Sequence, residues 1–226
     1  MDNNLRLQYL DAMGITVWLP RDALRETVEI KKVEDDFPFI SEANNWEQLA
    51  NEVAACTKCG LCATRKNTVF GSGNKTADWL FIGEGPGQHE DEQGLPFVGN
   101  AGQLLTEMIR ALGLGRDEVY IANIVKCRPP NNRDPHADEV ASCHDYLQRQ
   151  IALVQPKVIL AVGRIAAQTL LNTDAPLSKL RGKVHTLGAT PLIVVYHPAY
   201  LLRSLLEKRK AWQDLQFAMR TLQEQQ

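Results

Sequence analysis

Residues 78–87 read DWLFIGEGPG. Four large apolar side chains in a row, closed by glycine, are too short for a helix and suit a strand buried on both faces. The abrupt change to glycine and proline marks a turn. The same pattern returns at VYIANIV (119–125), KVILAVG (157–163) and PLIVVY (191–196). Helical spacing fills the intervals: AGQLLTEMIRALG (101–113) ends at glycine, PHADEVASCHDYLQRQIALV (135–154) opens at proline, RIAAQTLL covers 164–171, and a last helix covers 209–222. Such alternation with near-continuous apolar strands predicts an α/β fold, a parallel sheet of at least four strands covered by helices on both faces. Ligands bind these sheets beyond the carboxyl ends of the strands. The polar segments collect there: GEGPGQHEDEQGLPFVGN after the first strand, Asn123 and KCRPPNNR after the second, His197-Pro198 after the fourth.

The chain has 226 residues, 44% hydrophobic and 23% charged, ordinary for a soluble globular protein. No apolar run reaches the length of a membrane span. The first residues, MDNNLRLQYLDAMGI, carry acids where a signal peptide would carry bases, so a cytoplasmic protein without membrane association is expected. Net charge is −2, unevenly spread: the first 50 residues hold ten acids against five bases, and the rest is net positive by three. A polyanion-binding surface is therefore expected after residue 50. Residues 1–45 read as a short helix (1–19) and an acidic, proline-containing arm or linker. Helical patterning resumes at NWEQLANEVAAC, so a single domain is expected over 46–226.

Five cysteines in such a compartment are not expected to form disulfides. Cys56 and Cys59 form a C-x2-C, Cys62 follows three residues later, and Cys127 and Cys143 stand far downstream. A thioredoxin-like pair would follow a strand, and this one follows a helix. Four thiolates suit a [4Fe–4S] cluster or a zinc ion, and spacing leaves both open beside small buried thiols. The loop GEGPG is a poor phosphate cradle, because Pro86 has no amide to donate; its glycines suit close approach to a flat ligand. Glu84, Glu90 and Asp91 are its acids, and Phe97 follows between glycines.

The ordered set CTKC, VFGSGN, GEGPGQHEDEQGLPFVGNAGQLL, VYIANIVKCRPPNNRDP, a further single cysteine and YHPAYLLR resembles family 4 uracil-DNA glycosylases over about residues 50–220. The resemblance implies a three-layer α/β/α domain with a four-stranded parallel sheet. It implies a structural [4Fe–4S] cluster on Cys56, Cys59, Cys127 and Cys143, with Cys62 an extra cysteine. It further implies a monofunctional enzyme that flips uracil out of single- or double-stranded DNA and hydrolyses its N-glycosidic bond.

Roles follow from matching positions. Gly83, Glu84 and Gly85 match backbone that contacts uracil, and Phe97 matches the ring that stacks on it. Asn123 offers the donor and acceptor that uracil O4 and N3–H require. His197 matches a donor to uracil O2. Other branches carry an aspartate at the position of Gly85, which leaves Glu84 and Glu90 as candidates for orienting water. Leu201, Leu202 and Arg203 resemble a loop that enters the DNA, and Lys126, Arg133, Arg128, Arg181 and Lys183 are candidate phosphate contacts. Residues 126–136 lack the basic insert of the branch that traps DNA covalently, so turnover is expected. A monomer is expected, with the N-terminal arm available to a repair or replication partner. The alternative is an inert uracil- or damage-binding protein on the same scaffold, motivated by Gly85.

Overall fold

The computed structural model describes residues 46–224. The helix and arm read over residues 1–45 lie outside these residues, as does the question of a domain boundary there. The sheet has six strands in the order β1-β3-β2-β4-β6-β5: β1 (Ser72–Gly73), β2 (Trp79–Gly83), β3 (Tyr120–Asn123), β4 (Val158–Val162), β5 (Val184–Leu187) and β6 (Thr190–Val195). The central four, β3-β2-β4-β6, are parallel, as the sequence predicts. β1 and β5 add an antiparallel strand at each edge, making the sheet mixed and six-stranded.

Alternation inside each central strand divides the core in two. Leu80, Ile82, Ala122, Ile159, Ala161, Leu192 and Val194 face one side. There they meet α4 (Ala137–Val154) through Cys143, Leu147 and Val154, and α5 (Arg164–Leu171) through Ala166 and Ala167. Trp79, Phe81, Ile121, Val158, Leu160, Val162, Ile193 and Val195 face the other. That face is covered by α3 (Asn100–Ala111) through Leu105, Met108 and Ile109, and by α8 (Lys208–Gln223) through Ala211, Leu215, Ala218 and Leu222. Along α8 these contacts recur every three or four residues, the stripe an amphipathic helix presents to a sheet. The α/β class and the helices on both faces follow from this division.

Helix α1 (Trp46–Ala54) lies on α4, burying Leu49 and Val53 with Tyr146. Trp46 anchors it edge-on to Phe70 at 5.9 Å and tilted against Tyr120 at 5.1 Å. The remaining helices are short: α2 (Gln88–Gln93), α6 (Leu177–Leu180) and α7 (Pro198–Arg203). Helix α4 starts where its proline suggested, with the Glu139 carboxylate accepting the His136 N–H at 2.8 Å. Among the described residues no helix is long and apolar enough to cross a membrane.

The strand order creates a switch point. From β2 the chain passes through α3 on one face to β3; from β4 it passes through α5 on the other face. Loops after β2 and β4 therefore part in opposite directions, opening a crevice at the carboxyl edge of adjacent strands.

Candidate active site

A cavity of about 660 Å³ occupies that crevice, within the range of roughly 300–1,000 Å³ usual for small-molecule sites. Its walls combine the β2 loop (Glu84, Gly85, Pro86, Gly87), Asn123, the segment Gly163–Ile165 after β4, and His197 after β6. Glu90, Phe97, Arg133 and Arg203 also line it. Gly83, paired with Asn123 in the sheet register, packs against the Asn123 and Phe97 side chains behind the lining.

Asn123 is 2% exposed, and its Oδ1 is buried without a hydrogen-bond partner among the described residues. A buried acceptor left unmet costs about 1–3 kcal/mol, which an N–H of a ligand would recover. The backbone carbonyl of Asn123 is held from below: Lys126 Nζ donates to it at 2.8 Å and to Gln150 Oε1 at 2.6 Å. Lys126 is only 1% exposed. Its expected role as a phosphate contact is therefore corrected: the side chain turns inward under β3 and reaches no surface.

Phe97 is clamped from three directions. Its φ is +53°, an uncommon conformation for a bulky residue. Glu90 Oε1 accepts the N–H groups of Val98 at 2.8 Å and Gly99 at 3.1 Å, and Oε2 accepts that of Gly87 at 3.1 Å. Arg116 donates to the Pro96 carbonyl. Beneath, Gly102 brings α3 so close that a Cβ there would stand 1.8 Å from the Phe97 carbonyl oxygen. Asp91 is committed too, accepting from the Lys66 and Asn67 amides at 2.9 and 3.2 Å. Glu90 thus lines the cavity with both oxygens engaged by backbone, and it positions Phe97.

His197 lies 5.7 Å from Phe97, ring centre to ring centre, with the planes 32° apart. The Ala199 amide donates to His197 Nδ1 at 3.1 Å. That leaves the proton on Nε2, which makes Nε2–H the free donor of a neutral ring. Burial pushes the His197 pKa down to about 4; Arg203 acts in the same direction and Glu90 against it. Glu84 moves the other way. Burial, helped by the nearby Asp134 and opposed by Arg164, raises its pKa to about 7. Asp134 and Arg164 are themselves paired at 2.6 Å.

The rim departs from the sequence reading. Leu201 is 1% exposed and packs in the core, so it is not a wedge in this structure. Leu202 is exposed and Arg203 faces the cavity. The most exposed large apolar residues are Leu206 and Leu205, at 91% and 65%, in the turn that follows. Two leucines directly before the polar start of α8, with no helical face to serve, were the available signal. Arg133 holds Glu139 through both oxygens at 2.6 and 2.8 Å, so its charge is largely matched. Arg181 is also corrected: it is bound to Asp214 at 2.6 Å and lies 4.1 Å from the Tyr196 ring centre.

On the far side of Lys126, all five cysteines line one small cavity with Arg65, Lys126 and Tyr146. Arg65 Nη1 donates to Cys127 Sγ at 3.1 Å, and the Lys58 amide to Cys56 Sγ at 3.5 Å. Cys127 and Cys143 are buried; Cys56, Cys59 and Cys62 are partly exposed. Among the described residues no three metal-ligating side chains are gathered around a single-ion site.

Comparison with known proteins places the chain in a family. The profile of the Uracil DNA glycosylase superfamily matches residues 70–216. The type-4 uracil-DNA glycosylase of Archaeoglobus fulgidus is 46% identical over 164 residues, 69% of this chain and 82% of that protein. That of Thermotoga maritima is 45% identical over 160 residues, 70% and 83% of the two chains. That of Saccharolobus solfataricus is 46% identical over 168 residues, 70% and 78%.

The packing around Gly83 is testable on its own. A Cβ on Gly83 would stand 2.5 Å from Asn123 Oδ1 and 2.6 Å from Phe97 Cζ. Gly83→Ala should lower unfolding stability by about 1–3 kcal/mol in denaturant titrations, the usual cost of overpacking. Unchanged stability would mean that Asn123 and Phe97 are not packed on this glycine.

Proposed function

The chain belongs to the uracil-DNA glycosylase superfamily, and from that and the chemistry of the cavity we propose that it removes uracil from DNA. It hydrolyses the N-glycosidic bond, releases free uracil and leaves an abasic site. The single observation that carries this reading is the orphaned Oδ1 of Asn123, buried opposite a neutral His197 whose Nε2–H is free.

Uracil flipped into the cavity presents N3–H to Asn123 Oδ1 and O4 to Asn123 Nδ2. Cytosine presents an acceptor at N3 and a donor at C4, so the same amide would meet it mismatched on both contacts. Phe97 stacks on the ring, and Glu90 keeps Phe97 in place. As the bond to the sugar lengthens, electrons flow into the base and gather on O2, where His197 Nε2–H donates. A preorganised donor at a developing anion typically contributes roughly 3–4 kcal/mol. The sugar becomes cationic, and water adds at C1′. Glu84 is the group that orients this water or faces the cation. Gly85 leaves no room for an aspartate: even a Cβ would stand 2.7 Å from Val125 Cγ2. The carboxylate is instead supplied one residue earlier, which favours an enzyme over the inert binding protein. Leu202, Arg203 and the exposed Leu205–Leu206 turn form the face set toward DNA.

The cysteine cavity suits a [4Fe–4S] cluster on Cys56, Cys59, Cys127 and Cys143, with cationic Arg65 beside its negative charge. Hydrolysis draws no electrons from such a cluster, which would pin the segment after β3 to the loop after α1. Cys62 is spare in this assignment.

Base release from a uracil-containing oligonucleotide tests the whole reading; alkali should cleave the product at the uracil position, and an intact strand would refute it. His197→Ala should lower kcat by about 10²–10³-fold. A carboxylate with its pKa at about 7 is mostly charged only above that pH. The rate should therefore rise with pH up to about 7 and then level, while His197, neutral above about 4, adds no limb there. Glu84→Gln should flatten the profile and lower the plateau by roughly 10²–10⁴-fold. Cys127→Ser should lose iron and the visible absorbance of the purified protein, and Cys62→Ser should keep both. A colourless, zinc-loaded protein would overturn the cluster assignment.

A further inference from the structure

A second aromatic wall lines the cavity, built from Tyr196 and Tyr200. Their ring centres are 5.1 Å apart with the planes 30° from parallel. Behind Tyr196 lies the Arg181 guanidinium, 4.1 Å from the ring centre. Arg181 is itself immobilised, donating to Asp214 Oδ2 at 2.6 Å and to the Lys210 carbonyl at 3.0 Å. Asp214 is 3% exposed and sits on α8. Tyr196 is thus packed against two planar groups, the half-buried Arg181 guanidinium and the Tyr200 ring, which is 38% exposed.

We propose that Tyr200, backed by Tyr196 and Arg181, is the stacking platform for a nucleobase that neighbours the flipped uracil in the same strand. This rests on the reading of the cavity as a uracil-DNA site. Tyr196 and His197 are consecutive, so their Cα atoms are about 3.8 Å apart. A strand whose uracil lies against His197 must carry its adjacent nucleotide past the neighbouring wall. An aromatic ring accepts any base there, because every base has a π-face. Stacking is the contact suited to this wall, because Arg181, the cation against Tyr196, is already paired with Asp214. A ring held in a preformed stack loses little freedom on binding, unlike a long flexible side chain. The platform would matter most on single strands, where no complementary strand holds the neighbouring base in place.

The test uses 2-aminopurine beside the uracil in a single-stranded oligonucleotide, with base release followed on the same substrate. Binding to the wild-type protein should quench the fluorescence; Tyr200→Leu should abolish the quench, and Tyr200→Phe should keep it. Replacing the flanking bases by abasic residues should lower kcat/KM of the wild type by about 5–150-fold, the range of single base–aromatic stacks. Tyr200→Leu should show that loss already on natural flanks and no further loss on abasic ones. Quenching unchanged in Tyr200→Leu, or equal losses on both substrates, would overturn the platform. Quenching without uracil release would uphold the platform and refute the hydrolase reading; release without quenching would refute the platform alone.

Discussion

Lys126 is the strut on which the site depends. Its Nζ is buried, with Asn123 O and Gln150 Oε1 as its hydrogen-bond acceptors. Gln150 in turn donates to the Phe70 carbonyl at 2.8 Å. One chain of hydrogen bonds thus joins the end of β3, the middle of α4 and the segment leading to β1. A buried donor or acceptor that loses its partner costs about 1–3 kcal/mol, so each link holds the next. Asn123 can keep an unpaired Oδ1 because its backbone is fixed from beneath. The residue after Lys126 is Cys127, so the same strut lines the cysteine cavity and reaches the base-binding cavity through Asn123.

Around that strut the protein accepts several local costs together: an orphaned acceptor, a phenylalanine at positive φ, and a carboxyl and an imidazole both moved from their usual pKa values. Such departures cluster where structure is organised for a ligand rather than for its own stability. The two pKa shifts share one cause, burial, which disfavours charge on either group. Their consequences differ. His197 becomes a neutral donor for an oxygen that gains negative charge. Glu84 stands near the pH at which it can still gain or lose a proton.

The four parallel strands were legible because burial on both faces leaves an unbroken apolar run, and each of the four runs read as a strand became one. The edge strands were not legible: β1 is two residues long, and β5 alternates partly exposed residues such as His185 and Leu187 with polar or open positions. Residue type located the site but not the direction of each side chain. Lys126 and Arg181 read as surface cations, yet both have buried acceptors placed by distant segments, Gln150 and Asp214. Leu201 and Leu202 look equivalent in sequence; the helical turn after His197 sends one into the core and the other outward. Glu90 read as a water-orienting acid because nothing local reveals that three loop amides converge on it. Tyr200 belongs to the segment that resembles a DNA-entering loop, but its pairing with Tyr196 is not legible, since it needs a turn of α7 to bring the two together.

The central claim is that the free carbonyl of Asn123 reads the N3–H of uracil. Calorimetric titration of the protein with uracil, 1-methyluracil and 3-methyluracil tests it most directly. The account predicts binding of the first two, since N1 is the point of attachment to DNA, and none of the third, whose methyl group replaces the required proton. Equal binding of 3-methyluracil, or uracil binding undiminished in Asn123→Leu, would contradict it.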